Sequence, residues 1–231
     1  MFPKFDWLLF DLDNTLVDFN SSSKEAFVQV MTHLGVEDAS VLYPIFNKIN
    51  HQCWDEREAG LISHTELKNK RWVLFFEAAK IKADPLSINE SYFEIIKTNP
   101  VWMDDAERLL IAIQNKFNNL IITNGLSEVQ NPRIKKLDMA KYFGGVIISD
   151  EIGTAKPQKQ FFSHCASLMG EFDNDKVLVI GDTLKSDIKG GNEFGFRTCW
   201  YNYYKKENDT DITPHYEVNN IKSLGVNLGV W

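Results

Sequence analysis

Near the amino terminus two carboxylates stand two residues apart, in Phe10-Asp11-Leu12-Asp13-Asn14-Thr15-Leu16, directly after the apolar run Trp7-Leu8-Leu9-Phe10. A carboxylate at the end of a buried strand can serve as a nucleophile, a proton carrier or a metal ligand, although an isolated pair of this kind is also a common acidic turn. Three further polar groupings accompany later apolar runs: Thr123-Asn124-Gly125, then Lys156-Pro157, then Gly181-Asp182-Thr183-Leu184-Lys185-Ser186-Asp187. In a parallel sheet the carboxyl ends of the strands share one edge, which is where open α/β sheets bind ligands. Asp11, Asp13, Thr123, Lys156, Asp182 and Asp187 would then converge in one crevice. Four carboxylates around one lysine repel one another unless a cation joins them. A hard divalent ion with oxygen ligands meets that need, and Mg²⁺ fits because it accepts few carboxylates and keeps positions for water and phosphate oxygens.

Those side chains must be carried by a scaffold, and the chain alternates between two textures. Residues 6–10, 120–123, 146–149, 177–181 and 198–201 are short apolar runs, as strands buried on both faces are. Between the later ones lie helical patterns at 105–116, 128–137, 158–170 and 186–194. Strand and helix in alternation predict a doubly wound parallel α/β sheet. The first crossover breaks the rhythm, because residues 19–98 contain no convincing strand. Ser22 with Glu25, Ser63 with Glu66 and Ser87 with Glu90 each match the capping-box pattern, and a further helix over 42–58 is expected to stop at Gly60. An all-helical insertion at 19–98 within a core made of 1–18 and 99–231 is the expected organisation.

Composition narrows the function. The 231 residues are 44% hydrophobic and 25% charged, which excludes a disordered chain, and the formal net charge of −7 with no basic block argues against binding intact nucleic acid. A small phosphorylated molecule remains compatible with that charge. No run approaches the roughly 18 apolar residues of a membrane span, and the first residues lack the apolar stretch of a secretory signal. Cys53, Cys165 and Cys199 are odd in number and without CxxC spacing, so they read as reduced and mostly buried; a cytoplasmic protein, monomeric or a small homo-oligomer, is expected. Gly190-Gly191 and Gly195 do not form a dinucleotide fingerprint and read as close helix–sheet packing, and no GK[ST] sequence marks a P-loop. His51 and His64 have no partner at metal-ligand spacing.

Taken together and in this order, the four segments from Asp11 to Asp187 resemble the four motifs of the haloacid dehalogenase (HAD) superfamily of phosphohydrolases. The resemblance implies a HAD-like Rossmannoid core, with the helical insertion as its cap. It implies Asp11 as nucleophile and Asp13 as general acid/base, with Thr123, Asn124 and Lys156 binding the substrate phosphate. It also implies Asp11, Asp13 (through its backbone carbonyl), Asp182 and Asp187 as the Mg²⁺ site, Asp187 through water. Asp13 favours phosphate esters over carbon–halogen bonds, since a departing halide needs no proton. Asn14 stands where related phosphatases often carry glycine, and asparagine tolerates the left-handed region.

A finer likeness is to the pyrimidine 5′-nucleotidases of the YjjG type. Asn50-His51-Gln52-Cys53-Trp54, Ala59-Gly60-Leu61-Ile62, Ile121-Ile122-Thr123-Asn124-Gly125 followed by Gln130, and the segment from Gly181 to Trp200 carry it. It implies pyrimidine nucleoside monophosphates such as UMP, dUMP and dTMP as substrates. Trp54 is either a base-stacking residue or part of the helical core, and Thr183 either bonds near the site or continues the turn. The competing expectations are a phosphatase for a sugar phosphate or phosphoglycolate, a phosphomutase, and a binding protein on a retired HAD scaffold.

Overall fold

In the computed structural model, which describes residues 1–231, the strands are β1 (Trp7–Phe10), β2 (Asn118–Thr123), β3 (Gly145–Ile148), β4 (Val177–Gly181), β5 (Arg197–Tyr201) and β6 (Tyr216–Val218). They form one sheet in the order β3-β2-β1-β4-β5-β6, every pair parallel. Successive strand residues face opposite sides, and both sides are covered. Leu8 and Phe10 of β1 join a core with Leu109, Leu110 and Ile113 of α5 (Ala106–Ile113) and with Ile221 and Leu224 of α10 (Ile221–Asn227). Leu9 points the other way, into a core with Phe161, Phe162 and Cys165 of α8 (Lys159–Ser167). β1 lies between β2 and β4, so the chain order reverses there, and the carboxyl end of β1 opens at that switch point.

The expected doubly wound parallel sheet is therefore present, with one strand more than the sequence suggested. β6 has three residues and lies at the sheet edge, too short for its apolar pattern to stand out. The remaining helices of this unit are α6 (Ser127–Lys136), the short α7 (Ser149–Ile152) and α9 (Lys189–Phe194), with a π-helical turn over Leu184–Ile188 where the sequence suggested regular helix. Gly190 and Gly191 do permit close approach: a Cβ at Gly190 would lie 2.9 Å from the Pro157 Cα, and one at Gly191 would lie 2.7 Å from Thr198 Cγ2.

The chain divides into two units, Met1–Asp18 with Val101–Trp231, and Phe19–Pro100. The second unit consists of α1 (Phe19–His33), α2 (Ala39–Glu58), α3 (His64–Ala79) and α4 (Pro85–Thr98). Its core is aromatic: the Phe46 ring lies 4.9 Å from Phe27 and 4.5 Å from Trp72, with Phe75 and Tyr92 packed edge-on. Arg71 is buried here without a carboxylate partner, donating instead to Asn50 and Asn89 at 3.0 and 2.5 Å and stacking on Tyr92 and Phe93.

Of the three expected capping boxes, the one at Ser63 and Glu66 forms in both directions, and Gly60 adopts the left-handed conformation after α2. The other two do not form. Ser22 and Ser87 lie inside α1 and α4; Asp84 caps α4 by accepting from the Ser87 N–H at 2.9 Å, with Pro85 beginning the helix. A carboxylate before a proline is the stronger start signal, since proline needs no hydrogen-bond acceptor for its nitrogen.

Candidate active site

The ends of β1, β2 and β4 carry the expected residues to one place. Phe10 is level with Ile121 on one side and Ile180 on the other, and the Asp11 N–H continues the ladder to the Ile180 carbonyl at 2.8 Å. Asp11 thus leaves the sheet at its centre, and Thr123 ends β2 beside it. After Asp11 the chain turns tightly. Asn14 takes a positive φ of 60° and its N–H reaches the Val17 carbonyl at 2.7 Å, a conformation asparagine accepts at low cost.

Lys156 joins the segments. Its Nζ donates to Asp11 Oδ1 at 2.6 Å, to Asp187 Oδ1 at 2.6 Å and to the Ile122 carbonyl at 3.0 Å, which uses all three ammonium hydrogens. Asn124 holds the Lys156 main chain from both ends: its Nδ2 donates to the Lys156 carbonyl and its Oδ1 accepts the Lys156 N–H, each at 2.9 Å. Thr123 Oγ1 accepts from the Gly125 N–H at 3.1 Å and from Gln130 Nε2 at 2.9 Å, so its own hydrogen remains to donate.

Carboxylate oxygens of Asp11, Asp182 and Asp187 all lie within 4.8 Å of one another. Asp187 is locked from its other side by the Thr183 N–H, 3.1 Å from Oδ2, and Thr183 Oγ1 donates to Asp182 Oδ1 at 3.1 Å. Thr183 therefore bonds within the site as well as continuing the turn. The Asp182 carbonyl accepts from Trp200 Nε1 at 2.9 Å.

The surroundings of each ionisable group act on its charge. Burial pushes the Asp11 carboxyl well above the usual carboxylate range, and Asp187 and Asp182 add to this while Lys156 opposes it. Burial and the neighbouring Asp187 carry Asp182 up to about 7, against the pull of Lys206. Burial alone would lower the Lys156 ammonium, but Asp11 and Asp187 more than offset it and hold it above the ordinary lysine range. One ammonium bonded to two of three clustered carboxylates leaves the site with more negative than positive charge. Three oxygen donors on one side of that deficit suit a hard divalent cation.

Asp13 does not join this cluster with its side chain. Its Oδ1 pairs with Arg133 Nη1 at 2.7 Å and its Oδ2 accepts from Gln130 Nε2 at 2.8 Å. The expectation of four carboxylates facing one lysine is thus corrected to two bonded to Lys156, a third beside them and one paired with Arg133. Arg133 was not anticipated from the sequence. Its signal was present, since Gln130 and Arg133 stand three apart in the helix after Thr123-Asn124-Gly125, but nothing in a helical pattern says that an arginine is buried. Trp200 and Lys206 were likewise invisible as neighbours of Asp182.

The haloacid dehalogenase-like hydrolase family matches residues 5–195, which include Asp11, Asp13, Thr123, Asn124, Lys156, Asp182 and Asp187. The chain belongs to that family. Within the HAD family it is 33% identical over 225 residues to the pyrimidine 5′-nucleotidase PynA of Streptococcus pneumoniae, covering 97% of this chain and 94% of that one. It is 31% identical over 223 residues to the pyrimidine 5′-nucleotidase YjjG of Escherichia coli, covering 96% of each. Among solved structures, the HAD-hydrolase YfnB from Bacillus subtilis bound to magnesium superposes with a TM-score of 0.91 at 28% identity, over 99% of this chain and all of that one. This protein is therefore an enzyme, a hydrolase of the HAD family. No helix in it is long and apolar enough to cross a membrane.

Proposed function

We propose that the chain is a Mg²⁺-dependent phosphomonoesterase that works through an aspartyl phosphate on Asp11 and hydrolyses pyrimidine nucleoside monophosphates such as UMP, dUMP and dTMP. The observation that carries the reaction class is the cluster of Asp11, Asp182 and Asp187 at Lys156: buried Asp11 and Asp187 bond the lysine, half-buried Asp182 lies beside them, and one cation faces three carboxylates. The substrate class is supported by two relatives, each alike over nearly the whole chain, whose names state that activity.

Asp11, Asp182 and Asp187, with the backbone carbonyl of Asp13, would hold the Mg²⁺. When bound, the ion supplies charge neutralisation and polarises a phosphoryl oxygen. The residues supply the rest. With Oδ1 tied to Lys156, Asp11 attacks the phosphorus through Oδ2; the new O–P bond forms as the ester P–O bond breaks. Asp13 gives its proton to the departing alkoxide. It then takes a proton from the water that attacks the aspartyl phosphate, which frees Asp11 and inorganic phosphate. Such a proton carrier contributes about 10²- to 10⁴-fold. Lys156 and the Thr123 hydroxyl face the phosphoryl charge, and Asn124 acts by fixing where Lys156 stands. The helical unit, inserted between Asp18 and Val101 just after the Asp11-to-Asp13 turn, is assigned the cap role and the choice of leaving group.

The test is a panel of phosphomonoesters, with Mg²⁺ present and then chelated. Phosphate release from dUMP, UMP and dTMP is expected to exceed that from sugar phosphates and phosphoglycolate, and chelation to abolish it. Fast release from sugar phosphates with none from dUMP would reject the nucleotidase assignment. Solvent oxygen should appear in the phosphate, which a phosphomutase would not give. Asp11→Asn should keep the fold by circular dichroism and lose turnover by at least about 10⁴-fold; retained turnover would remove covalent catalysis at Asp11.

A further inference from the structure

Two side chains that the roles above leave unused close on Asp13 from α6. Gln130 and Arg133 stand three residues apart, on one face of that helix, and are 1% and 0% exposed. Arg133 Nη1 pairs with Asp13 Oδ1 at 2.7 Å and also donates to Gln130 Oε1 at 2.6 Å. Gln130 Nε2 donates to Asp13 Oδ2 at 2.8 Å and to Thr123 Oγ1 at 2.9 Å. A primary amide offers two hydrogens and one carbonyl oxygen. All three are engaged here, and only this orientation of the amide satisfies both acidic and basic neighbours.

The arrangement is asymmetric. Asp13 is the half-exposed member, with 27% of its side chain accessible, while the groups behind it are wholly buried. Burying a guanidinium to make an ion pair is a poor device for stability, because desolvation consumes most of the attraction. It is an effective device for holding a carboxylate: one oxygen lies in an ion pair and the other accepts a hydrogen bond, so rotation about the last bond and a swing of the side chain are both opposed. Space for it is made by Gly125, whose φ is ordinary. A Cβ there would fall onto the Gln130 amide, with the Gln130 Cδ at 2.6 Å. Glycine at this place is a requirement of room.

We propose that Gln130 and Arg133 are positioning residues for proton transfer by Asp13, and that Gln130 ties this function to the Thr123 hydroxyl. The inference rests on the acid/base role given to Asp13 above. The step served is the one already written: the proton leaves the Asp13 carboxyl for the ester oxygen as that oxygen takes the electron pair of the breaking P–O bond. A carboxyl that wanders misses this oxygen more often than one held at both ends.

The experiment compares Arg133→Met, Arg133→Lys, Gln130→Met, Gly125→Ala and Asp13→Asn in the full chain with Mg²⁺. Single-turnover phosphoryl transfer is followed from two esters. One is an alkyl phosphomonoester, dUMP or the best substrate of the panel, whose alkoxide must be protonated. The other is p-nitrophenyl phosphate, whose phenolate departs without a proton. Arg133→Met is expected to slow transfer from the alkyl ester by about 10²-fold and from the aryl ester by less than about tenfold. Arg133→Lys should recover part of the loss. Gln130→Met and Gly125→Ala should show the same preference and also raise KM, because Thr123 loses a donor.

Adding Arg133→Met to Asp13→Asn should cost nothing further, as groups acting as one unit are not additive. Equal losses on both esters, or an additive double variant, would overturn the proposal. If Asp13→Asn itself fails to separate the esters, the error lies in the acid/base reading of Asp13. If it separates them and the α6 variants do not, the error lies in the clamp. Should Arg133→Met fail to fold, Gln130→Met and Gly125→Ala carry the same comparison.

Discussion

Lys156 shows how much one side chain does in this site. Its ammonium is shared by Asp11, Asp187 and a main-chain carbonyl, at 1% exposure, so removing it strands two buried carboxylates. Breaking a buried pair from one side costs roughly 3–5 kcal/mol. Lys156→Met should therefore lower stability in chelator by about that amount, and Mg²⁺ should restore part of it, as read from denaturant midpoints. The pH dependence has a definite sign. The folded pKa of Lys156 lies above its unfolded value, so the stability that it contributes is fully present below about pH 10 and is lost as pH rises further. The gap between wild type and Lys156→Met should narrow as pH rises above about 10, as read from denaturant midpoints. At this scale the sequence was informative about residue types. Asp11, Asp13, Lys156, Asp182 and Asp187 could be singled out because their segments follow one another in a specific order along the chain, although a single acidic pair after a strand is common. Arg133 could not, because an arginine on a polar helix usually faces water.

Among the elements, the glycines at strand and helix ends decide how closely the site residues approach. Gly181 ends β4, and a Cβ there would press into the Asp187 side chain, 2.6 Å from its Cβ. Gly191 lies in α9, against Thr198 and Val179 and away from the carboxylates. Gly181→Ala should weaken Mg²⁺ binding by about 10- to 100-fold, as changes behind a metal ligand do. Gly191→Ala should cost about 1–3 kcal/mol of stability by overpacking and leave Mg²⁺ affinity unchanged. Calorimetric titration with Mg²⁺ beside thermal melting distinguishes the two; equal effects on affinity would refute the distinction. Strand positions were legible because both faces are buried and the runs are continuously apolar. Helix starts were less so. A serine with a glutamate three residues on is common by chance, and at Ser22 and Ser87 helices begun by earlier residues ran through the pattern.

For the whole molecule, the proposed Mg²⁺ site would couple cation binding to folding. A ligand that binds only the folded state stabilises it by about 2.7 kcal/mol at a hundred times its dissociation constant. Saturating Mg²⁺ should accordingly raise the melting temperature of the wild type, and Asp182→Asn should lose that shift while retaining its fold; an undiminished shift would place the ion elsewhere. The sequence alone determined the fold class and the residue types of the polar segments that follow the strands. It could do so because burial on two faces and repeated helix–strand spacing leave marks in the order of residues. Tertiary structure alone decided which charges are neighbours. Asp11 and Asp187 share Lys156 and lie beside Asp182, while Asp13 turns to Arg133 and Gln130, a partition set by side-chain directions across segments far apart in the chain. Electrostatic energy depends on distance in space, and residue order carries no record of it.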